Sequence, residues 1–273
     1  MINRSVLRCC GSLTILTLLT GCHLFNDDEP TVDRSSGPLS EQRYQWTAGP
    51  GTDLVTGPAV PVCAYMESRM DAQTMGPIDY AYPGFDQAVA TKSADGDQDL
   101  FGSNLRPDED TGPVSRAAVG NNRFLIQSLT RSGQTVTATP CNYRYGLAHE
   151  QENGTFVSVL NKAVNDQGID TLRVRFTASA DESNNALPPQ AGPAPAPAVD
   201  VFGDWKVTGL LTDFGRLHPD FPKVWPTYEA DLATCIEKAP DPPERRAFLK
   251  NGDHPRTDFP TSAPSPGWPK RPS

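Results

Sequence analysis

Residues 123–139 read Arg-Phe-Leu-Ile-Gln-Ser-Leu-Thr-Arg-Ser-Gly-Gln-Thr-Val-Thr-Ala-Thr, and this stretch decides the fold class. Residues 123–130 are rich in strand formers. From Gln134 to Thr139, threonines alternate with Val136 and Ala138, the period of two expected of a half-buried strand. Between the arms stand Arg131, Ser132 and Gly133, and the glycine supplies the backbone freedom that a tight hairpin turn needs. Pro140 is expected to end the second arm, because it has no N–H to give to a ladder.

Working outward, strand signals recur. Residues 142–147 form a short candidate, and Gly154 precedes a second at 155–160. The turn Asn165-Asp166-Gln167-Gly168 leads into Thr171–Phe176, the best-patterned strand. There Leu172, Val174 and Phe176 share one face, and Arg173 and Arg175 the other. Upstream, Val60 to Met66 reads as the first strand of the domain, on the β-branched Val60 and Val62. Residues 71–119 read as an acidic, loop-rich stretch with turn signals at Met75-Gly76-Pro77 and Tyr82-Pro83-Gly84. Strand character resumes over 199–211, around Trp205. One helix is predicted, over Thr227–Lys238, with Thr227 as its cap and Tyr228, Leu232, Cys235 and Ile236 at helical spacing. The expected fold is mainly β, an antiparallel sheet or sandwich with one C-terminal helix, in the α+β class.

The N-terminus carries a different signal. Arg4 and Arg8 precede a short apolar run from Gly11 to Leu19, shorter than the ~20 residues that a permanent span requires. Leu19-Thr20-Gly21-Cys22 follows, and the chain then turns polar at Asn26, Asp27, Asp28 and Glu29. This segment resembles the signal peptide and lipobox of bacterial lipoproteins. The resemblance implies removal of residues 1–21 and acylation of Cys22, and two acyl chains give stable anchoring. It covers only these first residues, and no family is recognised in the mature part. The implied address is the cell envelope: the outer membrane in a Gram-negative host, the plasma membrane in a Gram-positive or actinobacterial one. Residues 22–58 then read as a lipid-anchored tether with Trp46 as an apolar anchor, and 59–239 as the folded domain. Residues 181–198 form a Pro-rich, extended excursion. Residues 240–273, with nine prolines in 34 positions, read as a disordered tail.

Composition narrows the partners. Loss of Arg4 and Arg8 takes the formal net charge of −9 to −11, and so acidic a chain is repelled by nucleic acid. Cys9 and Cys10 leave with the signal and Cys22 is lipidated. Cys63, Cys141 and Cys235 remain, so one disulfide and one buried free thiol are expected, with three pairings open. No spacing among them supports a thiolate metal site.

Candidate chemistry is sparse. Asp95, Asp97 and Asp99 alternate as the first ligands of a calcium loop do, but Leu100 and Arg106 stand where that loop needs Gly and Glu. A solvated acidic loop is the plainer reading, with calcium the one cofactor considered. His149 follows the Tyr143–Tyr145 strand beside Glu150, His218 lies near Asp213, and His254 falls in the tail. Ser128 and Ser158 are available hydroxyls, but no nucleophile elbow or zinc-protease helix motif surrounds them. Asp213-Phe214-Gly215 matches the kinase magnesium tripeptide by letter alone. Trp205, Phe214, Phe221, Trp225 and Tyr228 either pack a core or line a groove for glycan or peptide. The leading expectation is a non-enzymatic envelope lipoprotein. It would be a binding, scaffold or assembly module whose partners are the membrane and another envelope protein or cell-wall component. The alternatives are an extracytoplasmic hydrolase acting on envelope glycan or peptide, and a calcium-dependent surface module.

Overall fold

A computed structural model describes residues 34, 37–90, 105–107, 118–160, 168–179, 187 and 189–270. The hairpin is its centre. Strands β2 (Ala118–Ser132) and β3 (Thr135–Tyr143) pair antiparallel, with Ser132 opposite Thr135 across the turn. Gly133 takes a φ of 59° there, a left-handed value that glycine adopts without penalty. β3 does not stop at Pro140. A register shift between Ile126 and Ser128 absorbs the missing donor, and the Pro140 carbonyl accepts the N–H of Leu172.

The described residues build one mainly antiparallel, eight-stranded sheet. The path runs β5 (Phe156–Ser158), β4 (Leu147–Glu150), β2, β3, β7 (Arg173–Thr177), β8 (Lys206–Leu211). β6 (Ile169–Thr171) joins β3, and β1 (Glu41–Ala48) joins β2 in parallel. β1 corrects the expectation of a structureless tether over 22–58. Gln42, Tyr44 and Trp46 alternate inward along it, a period-2 pattern hidden among polar neighbours.

The second correction is larger. Val60–Met66 is not a strand but the first turns of α1 (Ala59–Met75). Pro61 is tolerated in the first turn, where N–H groups have no intrahelical partner. Gly76, at a φ of 89°, stops the helix by giving its N–H to Ala72. Residues 59–68 are buried without interruption. A helix enclosed on all sides shows no 3.6-residue stripe, so its apolar run resembles a strand.

α1 lies on one face of the sheet in the main core. It packs on Phe124, Ile126, Val136, Val174, Phe176 and Val207, and is enclosed by Tyr82, Phe85, Phe202 and Trp268. After the short helices α2 (Phe85–Ala88) and α3 (Phe221–Val224), the chain forms α4 (Tyr228–Glu237), the helix expected from sequence, and α5 (Pro243–Lys250), both on the opposite face. Neighbours in β3 point to opposite layers. Asn142 Nδ2 faces Met70 of α1, whereas Cys141 is bonded to Cys235 of α4. Of the three possible pairings the disulfide is therefore Cys141–Cys235, and Cys63 is a buried free thiol in α1.

Residues 240–270 are ordered, which corrects the reading of 240–273 as a disordered tail over the described residues. Beyond α5, His254 pairs with Phe156 on the β5 edge, and Ser265 bridges Gln45 on the outer edge of β1. Phe259 and Trp268 are both buried. Gly192 and Ala194 of the Pro-rich excursion bridge Gly267 and Trp268, so that part of 181–198 is not a free surface segment. These contacts cover backbone edges that would otherwise offer unpaired N–H and C=O groups.

Candidate functional site

The most concentrated chemistry among the described residues is an acidic pair on α1 that the sequence reading did not single out. Glu67 and Asp71 are one helical turn apart, so they share a face. Both are buried. Trp46 Nε1 donates to Glu67 Oε1 at 2.6 Å, while Tyr82 Oη and Trp268 Nε1 donate to Oε2 at 2.9 and 2.8 Å. Asp71 is held differently: Arg34 Nε donates to Oδ2 at 2.9 Å and Tyr44 Oη to Oδ1 at 2.6 Å. The Arg34 guanidinium also lies 4.8 Å from the Tyr82 ring centroid and donates to the Tyr80 carbonyl.

The two carboxyls differ in charge balance. Asp71 faces a guanidinium. Glu67 receives neutral donors only. Burial pushes Glu67 up to about 8, against the pull of its three donors. Burial also raises Asp71, but Arg34 and Tyr44 oppose it. Cys63, one turn before Glu67, is raised by burial and by the nearby carboxyl, so it stays a neutral thiol. A raised carboxyl can mark a general acid. Here every donor belongs to the interior, and the cluster fastens β1, the Tyr82 loop and the Trp268 segment to α1. Its chemistry is that of a clasp.

The histidines do not converge. His149 sits on β4 opposite Val157, and His218 follows the 3₁₀ turn beyond β8, at the other end of the strand order. The His218 Nδ1 accepts the N–H of Asp220 at 3.2 Å. His254 is buried, with its ring 4.5 Å from Phe248 and 5.7 Å from Phe259, and Nε2 lies 3.0 Å from the Asn251 carbonyl. Ser158 Oγ accepts the N–H of Leu160, and Ser128 is exposed on β2. No group of three or more metal-ligating residues occurs among the described residues. Asp95, Asp97 and Asp99 lie outside those residues, as does Cys22.

The aromatic stretch divides. Phe221, Trp225 and Tyr228 pack together with centroids 5.0–5.9 Å apart, Tyr228 edge-on to both others, and Trp205 belongs to the main core. Phe214 does the opposite. It is 80% exposed, and Leu217, three residues on in the same 3₁₀ turn, is 93% exposed. Residues three apart eclipse in a 3₁₀ turn, so the two apolar side chains share a side. Arg216 braces the turn, with its guanidinium 5.1 Å from the Tyr228 ring centroid and an ion pair to Glu229. Phe214 was visible in the sequence as part of an aromatic run. The exposure of Leu217 was not, because nothing in a lone leucine shows which way it points.

Comparison with protein-family models, with curated proteins and with solved structures gives no match for this chain.

Proposed function

We propose that this protein is an exported lipoprotein, acylated at Cys22, that presents a non-enzymatic binding, scaffold or assembly domain at the envelope surface. The observation that carries the reading is Leu19-Thr20-Gly21-Cys22 at the end of a short apolar run that follows Arg4 and Arg8. The Cys141–Cys235 disulfide agrees with it, since such bonds persist in oxidising compartments. A binding role is favoured over hydrolysis because the buried carboxyls are engaged in fastening the fold and the histidines lie on separate elements. The exposed Phe214–Leu217 pair offers an apolar contact for another envelope protein or a cell-wall component.

The test is the intact mass of the membrane-extracted protein, with Cys22→Ser as its control. A chain beginning at Cys22 and carrying diacylglyceryl is expected, together with release of the variant into the soluble fraction. A variant still bound to membrane would overturn the anchor. A folded, unlipidated wild-type chain would make it a freely secreted protein.

A further inference from the structure

The segment from Pro260 to Trp268 is bound in an unusual way for a stretch that closes a sheet edge. It contains no helix and no strand, only isolated bridges. Ser265 gives its N–H to the Tyr44 carbonyl and accepts from Trp46 N. Asn121 grips the segment through its side chain, donating to the Pro260 carbonyl and accepting from Ser262 N. Thr261 Oγ1 donates to the Glu41 carbonyl and Gln190 Nε2 to that of Pro266. On the far side Trp268 exchanges backbone bonds with Ala194. Gly192 and Gly267 cross so closely that a Cβ on either would overlap backbone of the other strip.

Apolar burial, by contrast, rests on a single side chain. Residues 260–266 are exposed or half-buried, and Trp268 is 1% exposed. Its ring meets Tyr82 edge-on at 5.9 Å and its indole N–H ends on Glu67. Segments with few buried apolar contacts open locally at lower free energy than the core they rest on. We propose that residues 260–268 form a strap that opens and recloses as a unit over the β1 edge, with Trp268 on the Glu67 carboxyl as its lock. Opening bares the Tyr44 carbonyl and the Trp46 N–H of β1 and lets water reach Glu67, while the β2–β3–β7–β8 sheet stays paired.

Opening is linked to protons. The charged and titratable groups around Glu67 are Cys63 and Asp71 on α1, Tyr44 on β1, Tyr82 just after the 3₁₀ turn Ile78–Tyr80, and Arg34 ahead of β1. Arg34 is the cation among them, and it is engaged by Asp71. In the closed state Glu67 is pushed up to about 8, whereas with water beside it the carboxyl returns toward its ordinary 4.5. The open state therefore binds the proton less well. Closure is fully favoured below the ordinary value and is lost as pH rises through about 8.

Hydrogen exchange on the full chain tests this. The strap amides of Ser262, Ser265 and Trp268 and the β1 amide of Trp46 should share one opening constant, at least about 10-fold larger than that of the β2–β3 amides. Trp268→Ala should raise the shared constant by at least about 100-fold and leave β2–β3 protection unchanged. Trp268→Phe keeps the ring but not the donor and should fall between. After correction for intrinsic exchange, opening should grow from pH 6 to pH 9 in the wild type and stay level in Glu67→Gln. Equal protection of strap and sheet, or loss of protection throughout the sheet in Trp268→Phe, would overturn the strap. A pH response unchanged in Glu67→Gln would overturn the lock.

Discussion

At the scale of single residues, Glu67 and Asp71 show how position within one helix turn sets the role of a buried acid. Removing Asp71 strands the Arg34 guanidinium, whose side chain is 8% exposed. Breaking a buried ion pair from one side costs about 3–5 kcal/mol, so Asp71→Ala should lose most of that in denaturant titration. Glu67→Gln retains one carbonyl oxygen but turns an amide toward donors that need an acceptor. It should cost about 1–3 kcal/mol at acid pH. It should also remove a pH dependence. The folded-state value of about 8 lies above the ordinary 4.5, so stability is complete below the latter and is lost as pH rises through the former. Midpoints measured from pH 4 to pH 9 should fall more steeply for the wild type than for Glu67→Gln, and parallel curves would refute the assignment.

Among the elements, the disulfide offers the cleanest prediction. It joins β3 to α4 across a separation of 94 residues and closes a long loop. Replacing both Cys141 and Cys235 by Ala should cost about 2–5 kcal/mol in denaturant midpoint. A double variant as stable as the wild type would mean that α4 is held by packing alone. The elements also divide by how plainly the sequence announced them. The turn-proximal part of the hairpin, β7 and α4 bury one face each and so carry their period in the sequence. Residues 59–68 of α1 are buried on every side, and Val60 and Val62 have the β-branched character of a strand. The Glu67–Asp71 spacing becomes meaningful only once that segment is known to be helical, which is why the clasp escaped the sequence reading.

For the whole molecule, the decisive contacts join positions far apart in the chain. Residues 41–48 and 260–268 were both expected to be loose because each is polar or Pro-rich when read locally. Their order comes from one another and from α1, as in Trp46 and Trp268 meeting at Glu67. No local window of sequence contains that information. The thiol count was legible, because exported chains oxidise in pairs, and three thiols leave one over. With Cys22 acylated as proposed, the native protein should show no reactive thiol. The denatured, unreduced protein should show one, from Cys63. Three thiols on denaturation would eliminate the disulfide.

The clasp has an optical consequence. Trp46, Trp205, Trp225 and Trp268 are all buried, and two of these four indoles donate to the same carboxyl. Trp46 is also stacked on Phe124 at 4.3 Å. The protonation of Glu67 is thereby coupled to the ultraviolet emission of two of the four indoles. A pH series of the emission should therefore follow the carboxyl that both indoles share, with no label attached.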